Sequence, residues 1–166
     1  MKSLAQLKVA TPIGSLYLIT DEQVLVAAGF SSFNALREKL SPPDKTRRII
    51  SAQKAHWLTC AIEDYFDGDF NAFAALKVRQ PGSEFSQRAW RAMRRVPAGK
   101  VMSYANLAAK SGSAAAVRAA GTACGRNAIA PIIPCHRIIR SDGSLGNYGY
   151  GIGKKSWLLR HEGAIE

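Results

Sequence analysis

Apolar positions recur at two different periods along this chain. From Leu7 to Phe30, "LKVATPIGSLYLITDEQVLVAAGF" holds three apolar, β-prone runs separated by the turn compositions "TPIGS" and "TDEQ", which predicts a meander of strands. In "SAQKAHWLTCAIEDYFDGDF" the period lengthens: Ala55, Leu58, Ile62 and Tyr65 fall at helical spacing, with Ser51 as the N-cap and Asp67-Gly68-Asp69 as the stop. A helix laid on strands completes a small α/β unit. Pro81-Gly82 then interrupts the pattern, which sets a domain boundary between residues 78 and 84, with one domain over 1–80 and a second over 84–166.

Beyond the boundary the pattern changes to helices that carry arginine. In "FSQRAWRAMRRV" Phe85, Ala89, Met93 and Val96 share one face while Arg88, Arg91 and Arg95 share another, an amphipathic helix that stops at Pro97-Ala98-Gly99. The stretch "SYANLAAKSGSAAAVRAAGTACGRN" holds two short helical segments, each preceded by a capping serine (Ser103, Ser113), with Gly112 in the turn between them. This is a helix-turn-helix candidate over about 103–125. The second helix, from about Ala114 to Gly125, is nearly stripped of side-chain bulk, so its backbone can approach another surface closely. Tight helix packing explains small residues equally well. Arg118, alone among alanines, points instead to an anionic target or an internal ion pair.

Charge sharpens this picture. Of 166 residues, 23 are Lys or Arg and 12 are Asp or Glu, a net charge of +11. Residues 1–83 carry 10 basic and 8 acidic side chains, whereas residues 84–166 carry 13 and 4. A surplus confined to the second half favours a polyanion, nucleic acid or an anionic membrane surface, over a merely solvated basic face. No apolar run is long enough to span a bilayer and the start lacks a signal-peptide core, so an intracellular, cytoplasmic protein is expected. Three cysteines (Cys60, Cys124, Cys135) show no paired spacing, which suits reduced thiols.

Cys60 and Cys124 read as packing residues; His56 and Cys60 would make only half a metal site. Cys135 differs in its surroundings, "PIIPCHRIIR". Pro131 and Pro134 stiffen the approach, Asp142-Gly143 marks a tight turn, and "GNYGYGIG" has the composition of a loop that folds over a planar ligand. The final helix brings Glu162. A nucleophilic thiolate needs a base and a group to hold that base, which Cys135, His136 and Glu162 supply. On a strand, Cys135 and His136 would point to opposite faces, so His136 is expected to act through a water.

"PCHRII" with "GNYGYGIGKKSWLLRHEG", "VPAGKVMSY" and "AVRAAG…GRN" resembles the O6-alkylguanine-DNA alkyltransferases, DNA-repair proteins consumed by their own reaction. The resemblance is dense from Phe85 to Gly163, and "TPIGSLYL" resembles that family's opening strands. It implies a ribonuclease H-like α/β N-terminal domain followed by a mainly α C-terminal domain with a helix-turn-helix. The implied partner is double-stranded DNA containing O6-alkylguanine, bound from the minor groove by a monomer. The implied reaction is irreversible, single-turnover transfer of the alkyl group, also from O4-alkylthymine, to Cys135. Location would be the nucleoid in a bacterium or the nucleus in a eukaryote.

The resemblance also assigns roles. Cys135 is the nucleophile, His136 the base and Glu162 the carboxylate that orients it; Tyr104 rotates the nucleotide and donates at guanine N3. Arg118 fills the gap left in the stack, with Ala119, Ser103 and Tyr104 at the DNA. Asn127 ties the helix-turn-helix to the cysteine segment. Tyr148 and Gly149 line the base pocket, Lys155 assists near O6, and Arg137 and Ile138 support the site. No cofactor and no metal are implied, since the zinc ligands of some relatives have no counterparts. Asn127-Ala128-Ile129-Ala130 replaces a proline-rich linker, and Cys135 excludes the non-repairing branch that carries tryptophan there. Two other readings stay open: a lesion-recognising DNA-binding protein without transfer activity, and a cysteine hydrolase.

Overall fold

The computed structural model describes residues 1–52 and 54–166. The chain divides into two compact units, Met1–Pro81 and Gly82–Glu166.

The first unit is a five-stranded sheet with helices. β1 (Leu4–Thr11), β2 (Gly14–Asp21) and β3 (Val24–Gly29) form the antiparallel meander expected from the sequence. Register pairs Leu7 with Leu18 and Val9 with Leu16, so the apolar residues of both strands stay together across the hairpin. The sheet order is β4-β1-β2-β3-β5, with β4 (Ile49–Ser51) parallel to β1 and β5 (Lys77–Val78) parallel to β3. Two short helices, α1 (Phe33–Glu38) and α2 (Pro42–Lys45), are capped by Ser32 and Ser41. Leu4, Ile19, Val26, Ala27, Leu36 and Leu40 form a buried cluster. Helix α3 (His56–Phe66) buries Leu58, Ala61, Ile62 and Tyr65, and Tyr65 stacks on Phe73 with ring centroids 4.6 Å apart.

Ser51 is not the cap of α3. It ends β4, paired with Gln6, and α3 begins five residues later behind Ala55, which makes no side-chain cap. Tertiary pairing of Ile49-Ile50-Ser51 with β1 overrides the local capping preference. Cys60, expected to pack inside, is exposed on α3, because the apolar face of that helix runs through Leu58 and Ile62 instead.

In the second unit, α4 (Glu84–Arg95) is capped by Ser83 and buries Ser86, Ala89, Trp90, Ala92 and Met93. Phe85, expected in that face, is only half-buried; Trp90 takes the central place and donates from Nε1 to the carbonyl of Ala123 at 2.9 Å. A parallel pair, β6 (Met102–Ser103) and β7 (Ile138–Ile139), aligns Met102 with Ile138 and Ser103 with Ile139. Helix α5 (Tyr104–Lys110) starts at Ser103, whose Oγ accepts from the amide of Asn106 at 3.1 Å. After a turn at Gly112 comes α6 (Val117–Arg126), and α7 (Ile152–His161) closes the chain.

Two local expectations are corrected here. α6 starts at Val117 rather than Ala114, with Ala116 and not Ser113 at its N-cap; the carbonyl of Ser113 accepts from the amide of Ala116 at 3.0 Å, which holds Ala114–Ala116 in a turn. Cys135–Arg137 is a 3₁₀ turn rather than a strand. Pro134 cannot donate to a ladder, and its carbonyl accepts from the amide of Arg137 at 3.0 Å. Among the described residues no helix is long and apolar enough to cross a membrane.

Candidate active site

The 3₁₀ turn distributes three successive side chains to different tasks. Cys135 lines a cavity of about 730 Å³, while His136 and Arg137 turn inward to Glu162, the residue that caps the C-terminus of α7. His136 Nε2 and Glu162 Oε2 are 2.9 Å apart with both side chains fully buried. Arg137 donates to both carboxylate oxygens, Nε to Oε1 at 2.8 Å and Nη2 to Oε2 at 2.9 Å, and Nη1 reaches the carbonyl of Val96 at 2.7 Å.

Burial alone would discourage ionisation of Glu162. The hydrogen bonds from Arg137 and His136 outweigh it and hold the carboxyl well below the usual carboxylate range. Burial lowers the His136 pKa, a shift that its hydrogen bond to Glu162 only partly offsets, so the imidazole is neutral at pH 7. An ionised carboxylate facing Nε2 places the single ring proton there. Nδ1 is then the basic nitrogen. It is buried and has no hydrogen-bond partner among the described residues.

Lys155 is fully buried, and burial lowers its pKa. Its Nζ donates to the carbonyls of Ile138 at 2.6 Å and Asn147 at 3.2 Å, pinning β7 to the tyrosine loop. The same Nζ lies 5.8 Å from the centroid of the Tyr104 ring. Asn127 joins the end of α6 to the cysteine segment: its Nδ2 donates to the carbonyl of Ile133 at 2.8 Å, and its Oδ1 accepts from the amide of Ile129 at 3.1 Å.

A family model described as "6-O-methylguanine DNA methyltransferase, DNA binding domain" matches residues 84–164. The chain is 37% identical over 169 residues to the methylated-DNA–protein-cysteine methyltransferase of Salmonella typhimurium, with 99% of each chain covered. It is 33% identical over 154 residues to the protein of that name from Methanosarcina acetivorans, covering 93% of this chain and 95% of that one. The chain belongs to the methylated-DNA–protein-cysteine methyltransferase family. The structure of Mycobacterium tuberculosis OGT in complex with DNA superposes with a TM-score of 0.81 at 31% identity, over 98% of this chain and 94% of that chain.

In this family member the residues singled out from sequence fall into three groups. Cys135, Tyr104, Arg118, Tyr148 and Gly149 line the cavity. His136, Glu162, Arg137, Ile138, Lys155 and Asn127 are buried. Ser103 caps α5 and Ala119 is exposed on α6; neither lines the cavity. Burial above all pushes the Tyr104 hydroxyl up to about 12, so it stays protonated. Gly146 lets the loop close on that ring: with φ at +73°, a Cβ there would meet the Tyr104 hydroxyl oxygen at 3.0 Å.

Sequence reasoning passed over Cys124 and Arg140, which both line the cavity. Cys124 follows Arg118 and Gly121 along α6 at near-helical spacing, the signal that puts it on their face of the helix. Its thiol is pushed far up by burial, then by Cys135, so it stays protonated and inert. Arg140 lies on the turn after β7, where no periodic pattern marks the direction of a side chain. Among the described residues no group of three or more His, Cys, Asp or Glu could hold a metal ion.

Proposed function

We propose that this chain repairs DNA by direct reversal, accepting the alkyl group of O6-alkylguanine, and of O4-alkylthymine, onto Cys135 once per molecule. One observation carries this reading: the Cys135 thiol opens into a cavity of about 730 Å³, roomy enough for an extruded base, with a buried, pre-oriented His136–Glu162–Arg137 array behind it.

α5 and α6 are read as a helix-turn-helix, with α6 laid in the minor groove. That groove is only about 6 Å wide, and Ala119, Ala120 and Gly121 bring no bulk to it. Arg118 takes the place of the extruded base, and Tyr104 stands at the pocket entrance. Extrusion costs a few kcal/mol, less where an alkyl group has already weakened pairing.

In the chemical step the Cys135 proton moves through a water to His136 Nδ1, and the sulfur attacks the alkyl carbon in line with the C–O6 bond. The S–C bond forms as the C–O6 bond breaks, and its electron pair returns to guanine, where Tyr104 donates at N3. Glu162 stabilises the imidazolium that results. Nothing in the site cleaves the thioether, so the protein is consumed. The first unit is read as ribonuclease H-like, and the protein as a monomer acting in the cytoplasm on its genome.

The test is the intact mass after incubation with a duplex carrying O6-methylguanine. One methyl group on the peptide containing Cys135, at one equivalent, is expected. Methyl retained on DNA would leave only a lesion-binding protein, and product beyond one equivalent would mean a hydrolase.

A further inference from the structure

Arg140 is the cation of the cavity to which the chemistry above gives no task. Its backbone is braced in the turn after β7: its amide donates to the carbonyl of Ser144 at 2.9 Å, and its own carbonyl accepts from the amide of Gly143 at 3.0 Å. The side chain is exposed and lines the cavity together with Tyr104 and Cys135. It makes no hydrogen bond or ion pair among the described residues. The nearest carboxylate along the chain, Asp142, is engaged by the amide and hydroxyl of Ser144 at 2.9 and 2.7 Å. A guanidinium on a rigid turn, at the mouth of a cavity and without an internal acceptor, is built to meet an external anion.

Its position selects which anion. Arg118 lines the same cavity from α6, the other wall, and is committed to the stack in the reading above. Cys135 is only 7% exposed and Tyr104 is half-buried, so the alkylated base sits deeper than the exposed Arg140. An extruded nucleotide carries its phosphates with it to the rim. We propose that Arg140 forms a phosphate subsite, holding a backbone phosphate that flanks the extruded nucleotide. The proposal rests on the base-extrusion reading given above. It adds that capture of the rotated state depends on the tyrosine-loop wall as well as on α6.

The test is a binding cycle in a Cys135→Ala background, so that transfer does not enter. Duplexes carry O6-methylguanine with natural linkages or with one neutral methylphosphonate on the 5′ or the 3′ side of the lesion. The Arg140→Gln substitution is expected to weaken binding to the natural duplex about tenfold, the scale of one charge-assisted contact. It should also reduce the slope of log K against log salt by about 0.9, one released counterion. One of the two methylphosphonates should weaken the Arg140-containing protein by a similar factor and leave Arg140→Gln indifferent. Arg140→Lys should recover part of the affinity.

Additive effects of the substitution and both neutral linkages would overturn the subsite, as would an unchanged salt slope. With Cys135 restored, Arg140→Gln slowing transfer from the free O6-methylguanine nucleobase as much as from the duplex would also overturn it, since the nucleobase has no phosphate. Failure of the alkyl-acceptor reading is separate: it shows as absence of methyl on Cys135 and leaves the binding cycle intact.

Discussion

His136 Nε2 lies 2.9 Å from Glu162 Oε2, and Arg137 clasps the same carboxylate through both of its oxygens. This contact fixes which ring nitrogen carries the proton and so which one faces the chemistry. Glu162→Gln keeps the shape but loses the charge that stabilises a histidine cation and neutralises Arg137. Transfer should slow about 10- to 100-fold. Stability should fall by about 3 kcal/mol, because a buried guanidinium is left without its counter-ion. Single-turnover rates and urea denaturation read the two effects separately.

Stability itself should depend on pH through this pair. His136 has a folded pKa below its ordinary 6.5, so once the pH drops below 6.5 the unfolded chain binds a proton that the native protein refuses. The unfolding free energy is then expected to decline by about 1.4 kcal/mol per pH unit below that point. Glu162 is depressed below its ordinary 4.5, so its stabilising contribution is intact above 4.5 and is lost only on further acidification. Denaturation midpoints between pH 8 and pH 5 check the first limb. A flat profile would mean that native His136 takes up its proton as readily as the unfolded chain does.

Tyr104 is held protonated by burial, with its hydroxyl pushed up to about 12. Tyr104→Phe removes the donor and should reduce the transfer rate about 100-fold, the ordinary scale of a general acid. The wild-type pH–rate profile should show no alkaline fall assignable to this tyrosine at pH 10. A fall near pH 10 that vanishes in Tyr104→Phe would contradict its buried, uncharged state.

The first unit contains an ion cluster that carries no chemistry. Asp44, 4% exposed, accepts from Arg47 at 3.0 Å and Arg79 at 2.7 Å, and Asp21 accepts from the same two arginines at 2.7 to 2.9 Å. The cluster joins the end of β2 to α2 and to the segment after β5. Asp44→Asn should cost about 2 kcal/mol in urea denaturation while the single-turnover rate at Cys135 stays at the wild-type value.

Reading depth differed sharply between local and long-range features. The meander, α4 and α5 were legible because period and capping are local: apolar spacing marks the first two, and Ser103 caps the third. β4 and β5 were not, because strands of three and two residues carry no period and exist only through pairing with β1 and β3. The candidate site residues were proposed from the motif around Cys135, yet the strand expected for that motif is a 3₁₀ turn. Separation of Cys135 from His136 therefore arises differently from the expected alternation. His136 is turned inward by Glu162, whereas Cys135 faces the cavity. Arg140 escaped because the loop after β7 has no period that would reveal which of its side chains meets the cavity wall formed by α6.

Gly146 provides the sharpest link between backbone conformation and chemistry. Its φ of +73° is left-handed, and a Cβ would stand 3.0 Å from the Tyr104 hydroxyl oxygen and 3.2 Å from Cε2. Gly146→Ala therefore carries two penalties: about 1 kcal/mol for a side chain in the left-handed region, and displacement of the Tyr104 ring or of the loop. Gly68→Ala separates them, because Gly68 has φ at +109° with nothing within 4 Å of its Cβ position. Both substitutions should lower the denaturation midpoint, but only Gly146→Ala should slow methyl transfer, by about tenfold, the scale of a modest misplacement of a catalytic group. If Gly68→Ala and Gly146→Ala transfer methyl equally fast, the tyrosine loop does not set the position of Tyr104.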